Sequence, residues 1–179
     1  TTAATSTTST TAATSTTVTT AATSTTVNGG RCISEQLTIA RAQTSASAGS
    51  VAISFTLTNT APTTCVLKGY PGLQMLDQNG ASITTHVTWG SSVSVPQEPV
   101  NSITLASGQQ AYFIIGYASQ TGYGSDTCPT STSIEVTPPN DYHYLTTPLQ
   151  ISPYGGTVQN LQCGDITASP ILSSLPPGY

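Results

Sequence analysis

The stretch Gly49-Ser-Val51-Ala-Ile53-Ser-Phe55-Thr-Leu57-Thr-Asn59 alternates apolar and small polar side chains. Successive side chains of a β-strand point to opposite faces of its sheet, so this pattern predicts a strand with one face in the core. Segments of similar character follow, separated by turn residues such as Pro71-Gly72, Ala106–Gly108 and Pro138–Asn140. The sequence contains no apolar 3.6-residue period long enough for a core helix. It therefore predicts an all-β, immunoglobulin-like antiparallel β-sandwich of about eight short strands.

The remaining strands are expected on either side of this stretch. Leu73–Asp77 and Ser82–Val87 flank Asn79-Gly80, a dipeptide that supplies the positive φ of a type I′ turn, and so predict a hairpin. Further strands are expected at Glu35–Ala42, Val100–Ala106, Gln110–Tyr117, Thr132–Thr137, Leu145–Ile151 and Gly156–Leu161.

The first part of the chain has a different composition. Residues 1–27 are three nine-residue repeats, TTAATSTTS from Thr1 and TTAATSTTV from Thr10 and Thr19. This composition buries too little apolar surface to offset its ordering entropy, and it is typical of O-glycosylated stalks. We expect residues 1–30 to form an extended, repetitive Thr/Ser-rich stalk and residues 31–179 to form the β-sandwich.

Every third residue of the repeats is threonine, which a polyproline-II-like helix would place along one edge. The O-glycosylation candidates on that edge are Thr2, Thr5, Thr8, Thr11, Thr14, Thr17, Thr20, Thr23 and Thr26. A second edge lacks threonine and carries Val18 and Val27, a possible contact face. Alternatively, the segment adds as a strand to a neighbouring copy, and at about 90 Å of extended length it could reach one. Both arrangements predict a homopolymer, such as a surface filament or layer.

Four cysteines, Cys32, Cys65, Cys128 and Cys163, stand at wide spacings without a CxxC motif, which favours disulfides over zinc or redox chemistry. Three pairings are possible, and we favour Cys32–Cys65 with Cys128–Cys163 because each would tie one half of the domain to itself. Disulfides predict export to an oxidising compartment, hence a secreted or cell-surface protein.

The segment Cys65-Val-Leu67-Lys-Gly69-Tyr-Pro71-Gly72, with Cys32 before it and Leu76–Gly80 after it, carries a C-x-L-x-G-x-P core. In these residues the chain resembles a family of exported bacterial proteins of unknown function that is common in actinobacteria. The resemblance spans about 31–170 and implies a β-sandwich behind a low-complexity segment. It implies no catalytic residues.

Charge and chemistry are sparse. Three basic residues face seven acidic ones, so no basic patch favours nucleic acid or anionic lipid, and no apolar run predicts membrane insertion. We expect a non-catalytic protein without cofactor or metal. Asp141-Tyr142-His143-Tyr144 is the most suggestive cluster, since its carboxylate could orient the imidazole or share a metal with it, although a surface loop explains it too.

The other candidates are weaker. His86 has no ligand-spaced partner, and a calcium site would need Asp126 or Asp165 with backbone carbonyls. Tyrosines concentrated in the second half either pack on strands or form a contact face for a glycan or protein, the alternative function of a stalked binding module.

Overall fold

The alternating stretch forms an interior strand of the largest sheet. The computed structural model describes residues 1, 30–47, 49–118, 130–149 and 164–179. Strand β3, Ser50–Asn59, pairs antiparallel with β2, Leu37–Ser47, and with β8, Gln110–Ala118. The sheet continues through β11, Asp165–Ala168, to β6, His86–Trp89, in the order β2-β3-β8-β11-β6.

Two three-stranded sheets complete the fold. One has the order β10-β9-β5 and is antiparallel, and the other has the order β1-β4-β7, with β1 and β4 parallel. Their strands are β1 Gly30–Arg31, β4 Cys65–Leu67, β5 Gly72–Leu76, β7 Ile103–Leu105, β9 Ser133–Thr137 and β10 Leu145–Pro148. Side chains from all three sheets meet in one core, where the rings of Phe55 and Phe113 stack with centroids 4.9 Å apart. The predicted all-β antiparallel sandwich is confirmed.

Strand β3 is buried on both faces, whereas its alternating pattern predicted one buried face. Seven consecutive residues of β3, Val51–Leu57, are buried. Ala52 on the second face packs with Val95, Ile114 and Leu172. Because the polar side chains of this face are small, the 92–95 loop and the C-terminal segment can cover them. Ser54 does not lose its hydrogen bonds there, since its hydroxyl accepts from Gln43 N at 3.0 Å, at a register shift in β2.

The predicted hairpin at Asn79-Gly80 is shorter than expected, and its turn is of a different type. Gly80 has φ 76° but Asn79 does not have a positive φ, so the turn is not type I′. The Asp77 carboxylate holds the turn instead, accepting from Asn79 N at 2.8 Å and Ala81 N at 2.9 Å. The chain then leaves β5 after a single bridge, Leu76 to Ser82, and enters β6, which pairs parallel with β11.

Other strand boundaries differ from the prediction for local reasons. A 3-10 turn, Ser34–Gln36, precedes β2, because Gln36 N donates to Ile33 O at 3.0 Å and delays the strand to Leu37. The predicted strands at Val100–Ala106 and Leu145–Ile151 are shorter, as β7 and β10. Strands β1, β4 and β11 were not predicted, and the expected strand at 156–161 lies outside the described residues.

Asn59, at the end of β3, joins two sheets. Its side chain is fully buried, and its amide donates to Leu105 O at 2.9 Å and to Thr63 O at 2.8 Å. Its carbonyl oxygen accepts from Ala61 N at 3.0 Å. The side chain thus fixes the chain reversal after β3 and ties it to β7. The described part of the chain contains no helix long and apolar enough to cross a membrane.

Candidate functional site

Glu35, Asp141 and His143 lie close together, and each side chain is of a type that can bind a metal ion. Glu35 lies in the 3-10 turn after Cys32, and the other two residues lie between β9 and β10. One ligand atom from each residue lies within 4.8 Å of the other two. Among the described residues, this is the single group of three such side chains. The sequence indicated Asp141 and His143, but it gave no signal for Glu35, which is 106 positions before Asp141 in the chain.

A tight turn positions Asp141. Asp141 N donates to Pro138 O at 3.0 Å, and the intervening Asn140 has φ 63°, in the left-handed region that asparagine tolerates better than most residues. The turn aims the carboxylate at the 3-10 turn, where its Oδ2 accepts from Ser34 N at 2.7 Å. Its Oδ1 accepts from Tyr142 N at 2.8 Å. The Asp141 side chain is only 3% exposed.

Asp141 keeps its negative charge in this setting. Desolvation raises its pKa, but hydrogen bonds from the backbone N–H groups of Ser34, Tyr142 and His143 outweigh that effect and hold the pKa below its ordinary value. Within the described residues, no lysine or arginine lies in salt-bridge range of Asp141 or Glu35. The cluster therefore holds two carboxylates whose only partner with basic character is an imidazole.

The imidazole sits between the two carboxylates without bonding either. His143 Nδ1 lies 3.6 Å from Glu35 Oε1 and 3.8 Å from Asp141 Oδ1, both too far for a hydrogen bond. The side chains of His143 and Glu35 are 73% and 59% exposed, so both can adjust. The Asp141 carboxylate is therefore held in place, whereas the Glu35 and His143 side chains beside it can move.

Two exposed tyrosines flank the cluster. Tyr142 is 88% exposed and Tyr144 is 56% exposed, so the sequence around His143 presents aromatic rings to solvent. Tyr117 and Tyr112 instead pack within β8: Tyr117 is buried, and the Tyr112 hydroxyl donates to Gln110 at 3.0 Å. Tyr123 and Tyr154 lie outside the described residues. The described tyrosines thus divide into exposed rings beside His143 and rings that pack within β8.

His86 does have an acidic partner, which its sequence surroundings did not reveal. The parallel pairing of β6 and β11 places His86 beside Asp165, and the His86 Nδ1 to Asp165 Oδ1 distance is 3.2 Å. Both side chains are mostly exposed. The described part of the chain brings no third metal-binding group to this pair. Asp126, the other residue named for calcium, lies outside it.

A second aromatic surface lies at the end of β6. Trp89 is 61% exposed and stacks on Tyr70, with ring centroids 5.7 Å apart. Nearby strands border a cleft of about 220 Å³ lined largely by hydroxyl side chains, including Thr88, Ser92 and Thr167. The sequence gave no sign of either feature, because each joins residues from distant parts of the chain.

The Cys32–Cys65 disulfide is present, as predicted, with its Cα atoms 4.8 Å apart. Cys32 follows β1 and lies shortly before the 3-10 turn that carries Glu35, and Cys65 is the first residue of β4. The disulfide therefore anchors one side of the cluster. Cys128 and Cys163 lie outside the described residues, as do the nine threonine candidates and Val18 and Val27.

Residues 32–171 match the family model described as a domain of unknown function, DUF4232. The match covers most of the chain, so the chain belongs to this family. No curated protein and no solved structure matches the chain.

Proposed function

Because the DUF4232 family to which the chain belongs has no assigned activity, we propose a function from the architecture: a non-catalytic, extracellular structural protein. Its copies assemble into a cell-surface filament or layer through the O-glycosylated N-terminal segment. Export is supported by the Cys32–Cys65 disulfide, because such bonds persist in oxidising compartments. We also propose, from the resemblance, that the protein comes from an actinobacterium and that the C-x-L-x-G-x-P core is a motif of its family.

The observation that carries assembly is the open edge of the five-stranded sheet. Strand β2, Leu37–Ser47, is the last strand on its side, and no described residue pairs with its outer edge. A register shift between Arg41 and Gln43 divides this edge into two short runs. An open edge offers backbone hydrogen bonds to an added strand. The occupant we propose is the threonine-rich segment of a neighbouring copy, since β-branched threonine favours strands.

Sedimentation of the full chain beside a matched variant tests this proposal. In the variant, residues 1–27 are replaced by a Gly/Ser linker of equal length, which keeps the reach and removes the threonines. Assembly through the segment predicts large species for the full chain and monomers for the variant. Equal sedimentation of both proteins would contradict it, and circular dichroism of both would show that the sandwich is folded.

A stalked binding module is the second candidate, favoured by the exposed rings of Tyr142, Tyr144 and Trp89. Aromatic rings of this kind stack on sugars or contact proteins, while the stalk holds the domain away from the cell surface. A monomeric protein that retains a glycan ligand after removal of residues 1–27, and loses it in Tyr142→Ala, would establish this function. If the protein is a monomer and binds no glycan on an array, glycan binding is excluded as its function.

A further inference from the structure

We propose that Glu35, Asp141 and His143 bind a divalent transition-metal ion, with Zn²⁺ as the preferred ion. This inference is independent of the assembly function, because all three residues belong to the sandwich and none lies in the repeats of residues 1–27. It departs from the sequence-based expectation of a metal-free protein, because the sequence had no means of placing Glu35 beside the other two residues.

The distances favour a shared ion over direct bonding. Zn²⁺ bonds to nitrogen and oxygen measure about 2.0–2.2 Å, so two ligands of a tetrahedral ion lie about 3.3–3.6 Å apart. His143 Nδ1 lies 3.6 Å from Glu35 Oε1 and 3.8 Å from Asp141 Oδ1. These separations are too long for hydrogen bonds and close to the separation of two ligands around one ion. Small rotations of the exposed Glu35 and His143 side chains complete the geometry.

The orientation of Asp141 is a second indication. Its side chain is only 3% exposed and is held by backbone donors, so this carboxylate keeps one direction while Glu35 and His143 can adjust. Two backbone N–H groups, those of Ser34 and Tyr142, each bind one carboxylate oxygen and fix its orientation. Oδ1 is the carboxylate oxygen that lies 3.8 Å from the imidazole Nδ1 of His143. Backbone donors thus orient this ligand as second-sphere groups orient ligands in known metal sites.

The donor set determines the class of ion. One imidazole nitrogen and two carboxylate oxygens suit Zn²⁺, whereas Ca²⁺ and Mg²⁺ prefer oxygen ligands alone. Three protein ligands leave a fourth tetrahedral position open to water or to an external group. Tyr142 and Tyr144, both exposed, are the sequence neighbours of His143. Among the described residues, no fourth His, Cys, Asp or Glu side chain joins this group.

The chain supplies its own matched control. His86 and Asp165 form another exposed imidazole–carboxylate pair, but at 3.2 Å they are within hydrogen-bond range and have no third ligand among the described residues. Removing His86 therefore deletes a histidine of similar exposure without touching the proposed site. Glu35 and His143 are both mostly exposed, so Glu35→Gln and His143→Ala are expected to leave the fold intact.

Isothermal titration of the full chain with ZnCl₂ tests the proposal, with CaCl₂ titrated in parallel. We expect one Zn²⁺ per chain, binding weakened about ten-fold or more by His143→Ala and by Glu35→Gln, and unchanged binding in His86→Ala. Co²⁺ in place of Zn²⁺ should give visible absorption bands of a low-coordinate site that disappear in His143→Ala. Absence of Zn²⁺ binding, tighter binding of Ca²⁺, or Zn²⁺ binding that survives His143→Ala would each overturn the proposal.

Discussion

Replacing Asp141 by asparagine should destabilise the domain, and the loss should depend on pH. The carboxylate accepts from Ser34 N at 2.7 Å and from Tyr142 N at 2.8 Å. Asparagine has one carbonyl oxygen, so it can accept only one of these bonds and turns its NH₂ group toward the other N–H. One bond to a charged acceptor is lost and a donor is orphaned, a cost of about 1–2 kcal/mol at pH 7 in a site bordered by solvent.

The pH dependence follows from the lowered pKa of Asp141. A carboxyl group whose pKa is lower in the folded than in the unfolded chain stabilises the fold above its unfolded pKa, here about 3.8. That contribution is lost as the pH falls through the folded pKa. The difference in unfolding free energy between wild type and Asp141→Asn should therefore be full at pH 7 and shrink as the pH falls below about 4.

Urea unfolding followed by far-ultraviolet circular dichroism at pH 7, 4, 3 and 2 measures this difference. Asp165→Asn is the control, because Asp165 is 63% exposed and should change stability by less than about 0.5 kcal/mol. A difference below about 0.3 kcal/mol at pH 7, or one that stays constant down to pH 2, would refute the argument.

Three further substitutions test the framework around the cluster. Asn59→Ala leaves two backbone carbonyl groups and one backbone N–H without the hydrogen-bond partner that this side chain supplies. Urea unfolding should show an unfolding free energy lower by about 2–4 kcal/mol, and a loss below about 1 kcal/mol would contradict the role assigned to Asn59. Gly164→Ala should cost at least about 2 kcal/mol more than Gly108→Ala, because both residues have positive φ but only at Gly164 would a Cβ overlap a neighbouring backbone carbonyl; equal thermal shifts would speak against that contact. Replacing Cys32 and Cys65 together by alanine opens a loop of 33 residues and should lower the unfolding free energy by about 3–4 kcal/mol, whereas a urea midpoint equal to that of the wild type would show that the disulfide contributes little.

The sequence predicted the features that depend on local pattern. Alternation located β3, and the expectation that a disulfide ties one half of the domain to itself gave the Cys32–Cys65 pair. It could not predict that the polar face of β3 is covered, since the covering residues, such as Val95 and Leu172, come from distant segments. The hairpin is short because the chain leaves β5 after Leu76 and β6 pairs with β11, a pairing that depends on the topology of the whole sheet.

The candidate site likewise combines residues that a local sequence pattern indicates with one that it does not. Asp141 and His143 stand two positions apart, so the sequence could propose them together. Glu35 joins them because Ser34 N binds the Asp141 carboxylate, a contact between residues 107 positions apart. No local pattern encodes such a contact. The parallel pairing that brings His86 to Asp165 was hidden for the same reason, since it requires the topology of the whole sheet.

Intact mass spectrometry together with negative-stain electron microscopy of the natively isolated protein tests the proposed function most directly. A variant lacking residues 1–27 is isolated and imaged beside it. The account predicts hexose mass increments confined to the N-terminal segment, and fibres or sheets that disappear in the truncated variant. An unmodified monomer that is indifferent to the truncation would contradict both glycosylation and assembly.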